Sequence, residues 1–143
     1  MNQQQTDIEL ALDYANQGTA PTTIVRLKSG WVFLALNQIL RGTCLLAAEP
    51  VVASLDELSL ETRNIFIDDM LKTGAAIMNV TGADRINYLF LGNKDPVLHV
   101  HLIPRFTDED PEFRVHGPWK YQQYLKFEIE RDQSLIADLT QAL

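Results

Sequence analysis

The chain has 143 residues, 46% of them hydrophobic, and one cysteine; that is long enough for a single domain burying about two thirds of its unfolded surface without disulfide staples. With 19 acidic and 12 basic residues the formal net charge is −7, which argues against broad affinity for nucleic-acid backbones or anionic membranes but leaves room for a small anion in a locally basic pocket. Cys44 alone cannot form an intrachain disulfide, MNQQQTDIEL has neither a basic nor an apolar leader segment, and no apolar run reaches the ~18 residues of a membrane helix, so the expected setting is a reducing cytoplasm.

Residues 6–17, TDIELALDYANQ, set Ile8, Leu12 and Ala15 at helical spacing behind a Thr6 or Asp7 cap, and Gly18 supplies a stop. Thr22 to Lys28 is β-branched and extended, and Lys28-Ser29-Gly30 makes a turn. Two strand-like runs follow, GWVFLALN at 30–37 and TCLLAAE at 43–49, joined through Arg41-Gly42. After Pro50 comes the clearest helix of the chain, SLETRNIFIDDMLKTGAAIMNVTG, with Ser59 as N-cap and Gly82 as stop. Its apolar stripe is Phe66, Met70, Gly74 and Ile77, widened by Ile67, Leu71 and Met78, and its methionines read as core.

Next come INYLFLG at 86–92 and VLHVHLIPRF at 97–106, joined by the turn formers Asn93-Lys94-Asp95-Pro96, which together predict a β-hairpin. The acidic TDEDPEF leads into a loop carrying His116 and Trp119 and then a C-terminal helix. There is no internal repeat and no linker. The order helix, three strands, helix, two strands, helix describes an α+β domain built on an antiparallel sheet.

Two of the three histidines lie in the last strand. Because side chains alternate along a strand, His99 and His101 share one face while Leu98, Val100 and Leu102 share the other and pack on a helix. The pair then lines a surface or a cleft, with three readings open. It can be a polar sheet face without chemistry. It can hold a metal, for which a third or fourth ligand is needed; the carboxylate offered downstream, Glu109, lies beyond Pro104 in the acidic loop. Or it can act at phosphorus, one imidazole attacking through a free ring nitrogen while the other donates to phosphate oxygens or the leaving group.

The run V-L-H-V-H-L-I-P-R at 97–105 resembles the motif of the histidine triad nucleotide hydrolases and transferases, in which three alternating histidines on a late strand are often followed by Pro-Arg. Anchored on Pro104-Arg105, His99 takes the middle, nucleophilic place and His101 the third, while Val97 replaces the first. Gly92-Asn93 stands where the family commonly has Gly-Gln, which supports this register. In the other register His101 would be the nucleophile and Ile103 would occupy the third place. The likeness runs over about 22–106, with helical extensions at 6–17 and about 119–143 on a single domain 1–143, and RGTCLLAAEPV resembles the family's Gly-His-x-Leu-Val segment with Thr43 where the His usually is.

The resemblance implies a five-stranded antiparallel sheet with one long helix, and cleavage at the α-phosphate of a nucleotide conjugate, a dinucleoside polyphosphate or a nucleoside phosphoramidate, through a nucleotidyl-histidine and without metal or cofactor. His99 and His101 would be catalytic; Asn93 would contact phosphate and Asn37 the ribose, with Arg105 and Lys94 as supplementary cations. His116 or Trp119 would approach the ligand, since the family's segment beyond Pro-Arg folds over the site or the partner subunit. A homodimer is implied, with the apolar early strands compatible with its interface. The losses at positions 97 and 43 remove hydrogen bonds that orient the nucleophile. They motivate a rival, a nucleotide-binding module without turnover, and the metal reading of the His99/His101 pair is a second rival.

Overall fold

The computed structural model describes residues 4–143; residues 1–3 of the MNQQQTDIEL stretch lie outside the described residues. Helix α1 (Asp7–Asn16) begins at a capping box in which Thr6 and Glu9 each satisfy the other's backbone amide, and it ends before Gly18, which adopts φ +71°. Strands β1 (Thr23–Arg26), β2 (Gly30–Leu34) and β4 (Cys44–Ala48) follow, with a two-residue strand β3 (Asn37–Gln38) between the last two. Helix α2 (Leu60–Thr81) is capped by Ser59 and stopped by Gly82 at φ +79°, a conformation that spares only glycine a steric penalty. Strands β5 (Arg85–Leu89) and β6 (His99–Arg105) form the expected hairpin. The remainder holds a one-turn helix α3 (Pro111–Arg114), strand β7 (Leu125–Lys126) and helix α4 (Ile129–Ala142).

The main sheet is antiparallel, in the order β1-β2-β4-β6-β5. Alternation along each strand divides its side chains between two faces. Val32, Leu34, Cys44, Leu46, Val100 and Leu102 pack with Phe66, Met70 and Ile77 of α2 and with Leu135 and Leu139 of α4. On the opposite face Phe33 and Ala47 pack with Ile8, Leu12 and Ala15 of α1 and with Val97. Helix α1 covers only part of that face, and the rest is open around the histidines. At Gly30 the strands β2 and β4 come so close that a Cβ would fall 1.8 Å from the Ala47 carbonyl oxygen, so only glycine fits there.

Three expectations are corrected. Leu71 is 52% exposed and leaves the α2 stripe, because a single face of the helix suffices to cover the sheet. The C-terminal helix begins at Ile129, not near 119; the intervening residues include a 3₁₀ turn at Pro118–Lys120 and β7, which pairs with β3 in a ribbon that the sequence pattern did not reveal. Two residues per strand give no period to detect. Finally, the apolar early strands β2 and β4 are inner strands, packed on α2 and α4 across one face and partly on α1 across the other, so most of their apolar surface is buried within the domain and not left for a partner subunit.

Candidate active site

A cleft of about 500 Å³ opens on the histidine face. Its floor is β6 and β4, whose register sets Ala47 opposite His99 and Leu45 opposite His101. One wall is the first part of α1, with Asp7, Ile8 and Ala11; another is the loop Gly92 to Asp95; Asn37, Thr43 and Tyr124 close the far side. Strand alternation brings both imidazoles to this cleft, with ring centroids 5.1 Å apart and planes inclined at 66°. His99 is the deeper, at 7% exposure, and His101 is half-buried.

The Nδ1 of His99 lies 2.6 Å from the carbonyl oxygen of Val97. A carbonyl can only accept, so the ring donates from Nδ1, and in the neutral form of that ring the lone pair is on Nε2. Position 97 therefore contributes through its backbone carbonyl, which a valine supplies as well as any other residue. Burial, and then repulsion from His99, push the His101 pKa down to about 4, so at neutral pH that ring is an uncharged donor and acceptor.

This depression has a consequence for stability. In the unfolded chain the His101 ring regains its ordinary value of 6.5, so between that pH and about 4 the unfolded state binds a proton that the folded state refuses. Stability therefore falls as the pH is lowered through this window. After discounting for the water that reaches a half-buried ring, the loss is on the order of 2 kcal/mol. Urea unfolding of the wild type and of His101→Asn at pH 7 and pH 4 checks this: the wild type loses more stability than the variant, and equal losses would refute the assignment.

Asn93 and Lys94 are both in the cleft-lining loop and both exposed. The Lys94 ammonium stands 3.9 Å from Asp7, with 94% of its side chain exposed. Asn37 also lines the cleft, but from β3, and its Oδ1 accepts from the Lys126 ammonium at 2.6 Å. Arg105 requires a correction as a ligand contact. It does not line the cleft; its buried guanidinium donates to both Glu109 carboxylate oxygens, to Asn87 Oδ1 at 2.9 Å and to the carbonyls of Phe113, Arg114 and His116. An arginine at the exposed end of a surface strand would be free, but here the chain folds back over it. His116 and Trp119 line a second groove, along edge strand β5, and the segment beyond Pro-Arg reaches the histidine cleft through Tyr124 instead.

The sequence reading missed Asp95, whose Oδ2 accepts the Ile8 amide at 2.8 Å and so ties the loop to the first turn of α1. Its place in a run of turn formers disguised it. The α1 wall and Tyr124 were missed for a different reason: nothing in local pattern says which face of a sheet a distant segment will cover. For the metal reading, among the described residues no group of three or more His, Cys, Asp or Glu is placed to hold an ion, and Glu109 is enclosed by Arg105.

The fold is that of the histidine triad proteins. No family model matches the chain, and no curated protein matches it. Among solved structures, a histidine triad protein from Bradyrhizobium japonicum is 23% identical with a TM-score of 0.73, covering 85% of this chain and 90% of that one. A histidine triad protein from Marinobacter aquaeolei is 22% identical with a TM-score of 0.74, over 89% and 93% of the two chains. A hypothetical histidine triad nucleotide-binding protein from Sulfolobus tokodaii is 16% identical with a TM-score of 0.73, over 93% and 90%. The structural likeness thus takes in more of the chain than residues 22–106. Among the described residues no helix is long and apolar enough to cross a membrane.

Proposed function

We propose that the chain is a nucleotide hydrolase or nucleotidyl transferase acting at the α-phosphorus of a nucleotide conjugate, with His99 as nucleophile. The observation that carries this reading is the bond from His99 Nδ1 to the Val97 carbonyl, which in the neutral ring puts the lone pair on Nε2 of a side chain that lines the cleft. The Nε2 lone pair forms a bond to phosphorus as the bond to the leaving group breaks, and the leaving group takes up a proton. Water then splits the N–P bond, releasing the nucleoside monophosphate and the free imidazole. His101 donates to a non-bridging oxygen, and the Asn93 amide supplies a second donor; fixed dipoles in a partly dry cleft stabilise the charge that builds there. Asn37 serves the ribose, on the rim beside Lys126.

The charge of the cleft discriminates between the two substrate types. Among the described residues that line it, Lys94 is the single lysine or arginine, set against Asp7 and Asp95. A polyphosphate brings several anionic groups to this lining, and like charges about 8 Å apart repel by about 2 kcal/mol at an effective dielectric of 20, before salt screening. A phosphoramidate brings one. The proposed substrate is therefore the nucleoside phosphoramidate.

Two measurements test the proposal together. Intact-mass spectrometry of enzyme quenched within milliseconds of mixing with adenosine 5′-phosphoramidate is expected to show a nucleotidyl adduct, located on His99 by digestion. Steady-state kinetics are expected to give a kcat/KM at least ~10-fold higher for the phosphoramidate than for diadenosine tetraphosphate at low salt, with the gap narrowing as salt rises. Binding without adduct or product, seen as a ligand-dependent rise in Tm, would leave the nucleotide-binding module in its place.

The proposal extends to a cytoplasmic homodimer. Strand β5 is an edge of the sheet, and Val115 and Trp119, exposed at 78% and 77%, stand beside it. An unpaired edge next to exposed apolar side chains is suited to pairing with a second copy across a two-fold axis.

A further inference from the structure

The nucleophilic ring is held by a single hydrogen bond to a backbone carbonyl, and what fixes that carbonyl lies in an element remote in sequence. We infer that helix α1 is the positioning element of the nucleophile, acting through Val97 and Asp95; the inference rests on the reading of His99 given above. The Val97 carbonyl accepts from His99 Nδ1 at 2.6 Å, and on the other side of the same peptide unit the Leu98 amide donates to the Val52 carbonyl at 2.7 Å. Val97 itself stands two residues before His99, the first residue of β6 that pairs with β4; the backbone beside it is tied at Leu98, which also accepts from the Ala48 amide at 2.9 Å, and no ladder pairing reaches the Val97 side chain.

Its side chain is held instead by packing. Val97 is 4% exposed, in one apolar cluster with Ile8, Leu12 and Ala15 of α1 and with Phe33 and Ala47 of the sheet. Ala47 is the register partner of His99, so the cluster that fixes the carbonyl also borders the ring. The second grip is polar: the Ile8 amide, in the first turn of α1, donates to Asp95 Oδ2 at 2.8 Å, where the exposed amides of a helix start favour a carboxylate. Helix α1 thus holds the segment 95–97 by one charge-assisted bond and one buried side chain.

This also accounts for the residue at the first triad position. An imidazole buried in the Val97 cluster would need partners for its ring nitrogens among aliphatic side chains, which offer none. Valine fills the space under α1, and the orienting task passes from a side-chain hydrogen bond to apolar packing. Because productive geometry tolerates only about 0.5 Å and 10–20° of error, a void opened under α1 is felt at the ring. Ile8, Leu12, Val97 and Asp95 are positioning residues in this scheme.

The test follows the His99 ring directly. Nitrogen-15 NMR of the imidazole separates the tautomer protonated on Nδ1 from that protonated on Nε2, and kcat and KM are measured with adenosine 5′-phosphoramidate. Leu12→Ala and Val97→Ala are expected to keep the helical circular dichroism, to move part of the His99 population to the Nε2–H tautomer and to lower kcat between about 10- and 100-fold with KM little changed. Leu12→Met, which refills the void, is expected to restore both. Should the alanine variants unfold, Asp95→Ala, which leaves the apolar cluster intact, is expected to give the same two shifts in smaller measure. An unmoved tautomer in a folded variant, or a fall in kcat without a tautomer change, overturns the inference. A tautomer shift in variants of a protein without turnover supports the hold of α1 on the ring and overturns the enzymatic reading alone.

Discussion

A His99→Ala variant is expected to fold and to lose turnover by at least ~10³-fold, the scale on which removal of a nucleophile acts. It folds because the ring belongs to the cleft face and not to the core between β6 and α2; the cost is one carbonyl left to find water, about 1 kcal/mol. Turnover collapses because no other group occupies the same place. His101 lies 5.1 Å away, centroid to centroid, and among the described residues no carbonyl fixes its tautomer as Val97 fixes that of His99. His101→Ala is expected to lose less, on the order of 10- to 10³-fold, because it removes a donor and not the reacting atom. Quenched-flow detection of nucleoside monophosphate, with mass analysis of the adduct, checks both. An adduct found on His101, or His99→Ala within tenfold of wild type, would reverse the register and make His101 the nucleophile.

The second large effect lies outside the cleft. Arg105→Ala is expected to destabilise the protein by about 3–5 kcal/mol, because it leaves Glu109 buried beside a vacated cation. Arg105 and Glu109 side chains are each 4% exposed and 3.0 Å apart. Burial alone would raise the Glu109 carboxyl, but the bonds from Arg105, Tyr121 and the Phe106 amide outweigh it and hold the carboxyl below its usual range. The same guanidinium satisfies three carbonyls of the loop 113–116, so one substitution releases an ion pair and a folded segment together. For a chain of this size the expected fall in Tm is roughly 10 °C or more. Arg105→Lys recovers only part, since an ammonium cannot reach so many acceptors in a plane. Thermal melts of the two variants decide it: a shift within ~2 °C of wild type would show that the Arg114 guanidinium, 3.7 Å from Glu109, suffices.

What the sequence made legible is what local pattern encodes. The stripe through Phe66, Met70 and Ile77, the caps Thr6 and Ser59, the stops Gly18 and Gly82, and the alternation about His99 and His101 each express a period or a terminus that a short window contains. The fold followed from their order, and the two imidazoles of the candidate site from strand alternation alone. Hidden from it were contacts between distant segments. Arg105 reads as a solvated strand end until Glu109 and the loop beyond fold onto it, Asp95 reads as a turn residue until α1 arrives, and Asn37 gives no hint that Lys126 will share its rim. Burial of a charge depends on what covers it, which no window around that charge reports.

The two lateral walls of the cleft have a common feature. One is fastened by a bond between residues 87 positions apart, Ile8 to Asp95, and the other by one between residues 89 apart, Lys126 to Asn37. Closing loops of such span carries an entropic cost that local hairpins and helices avoid. The chamber around the imidazoles therefore exists only where both distant closures are made, and a ligand that spans both walls is expected to stabilise the native state alone.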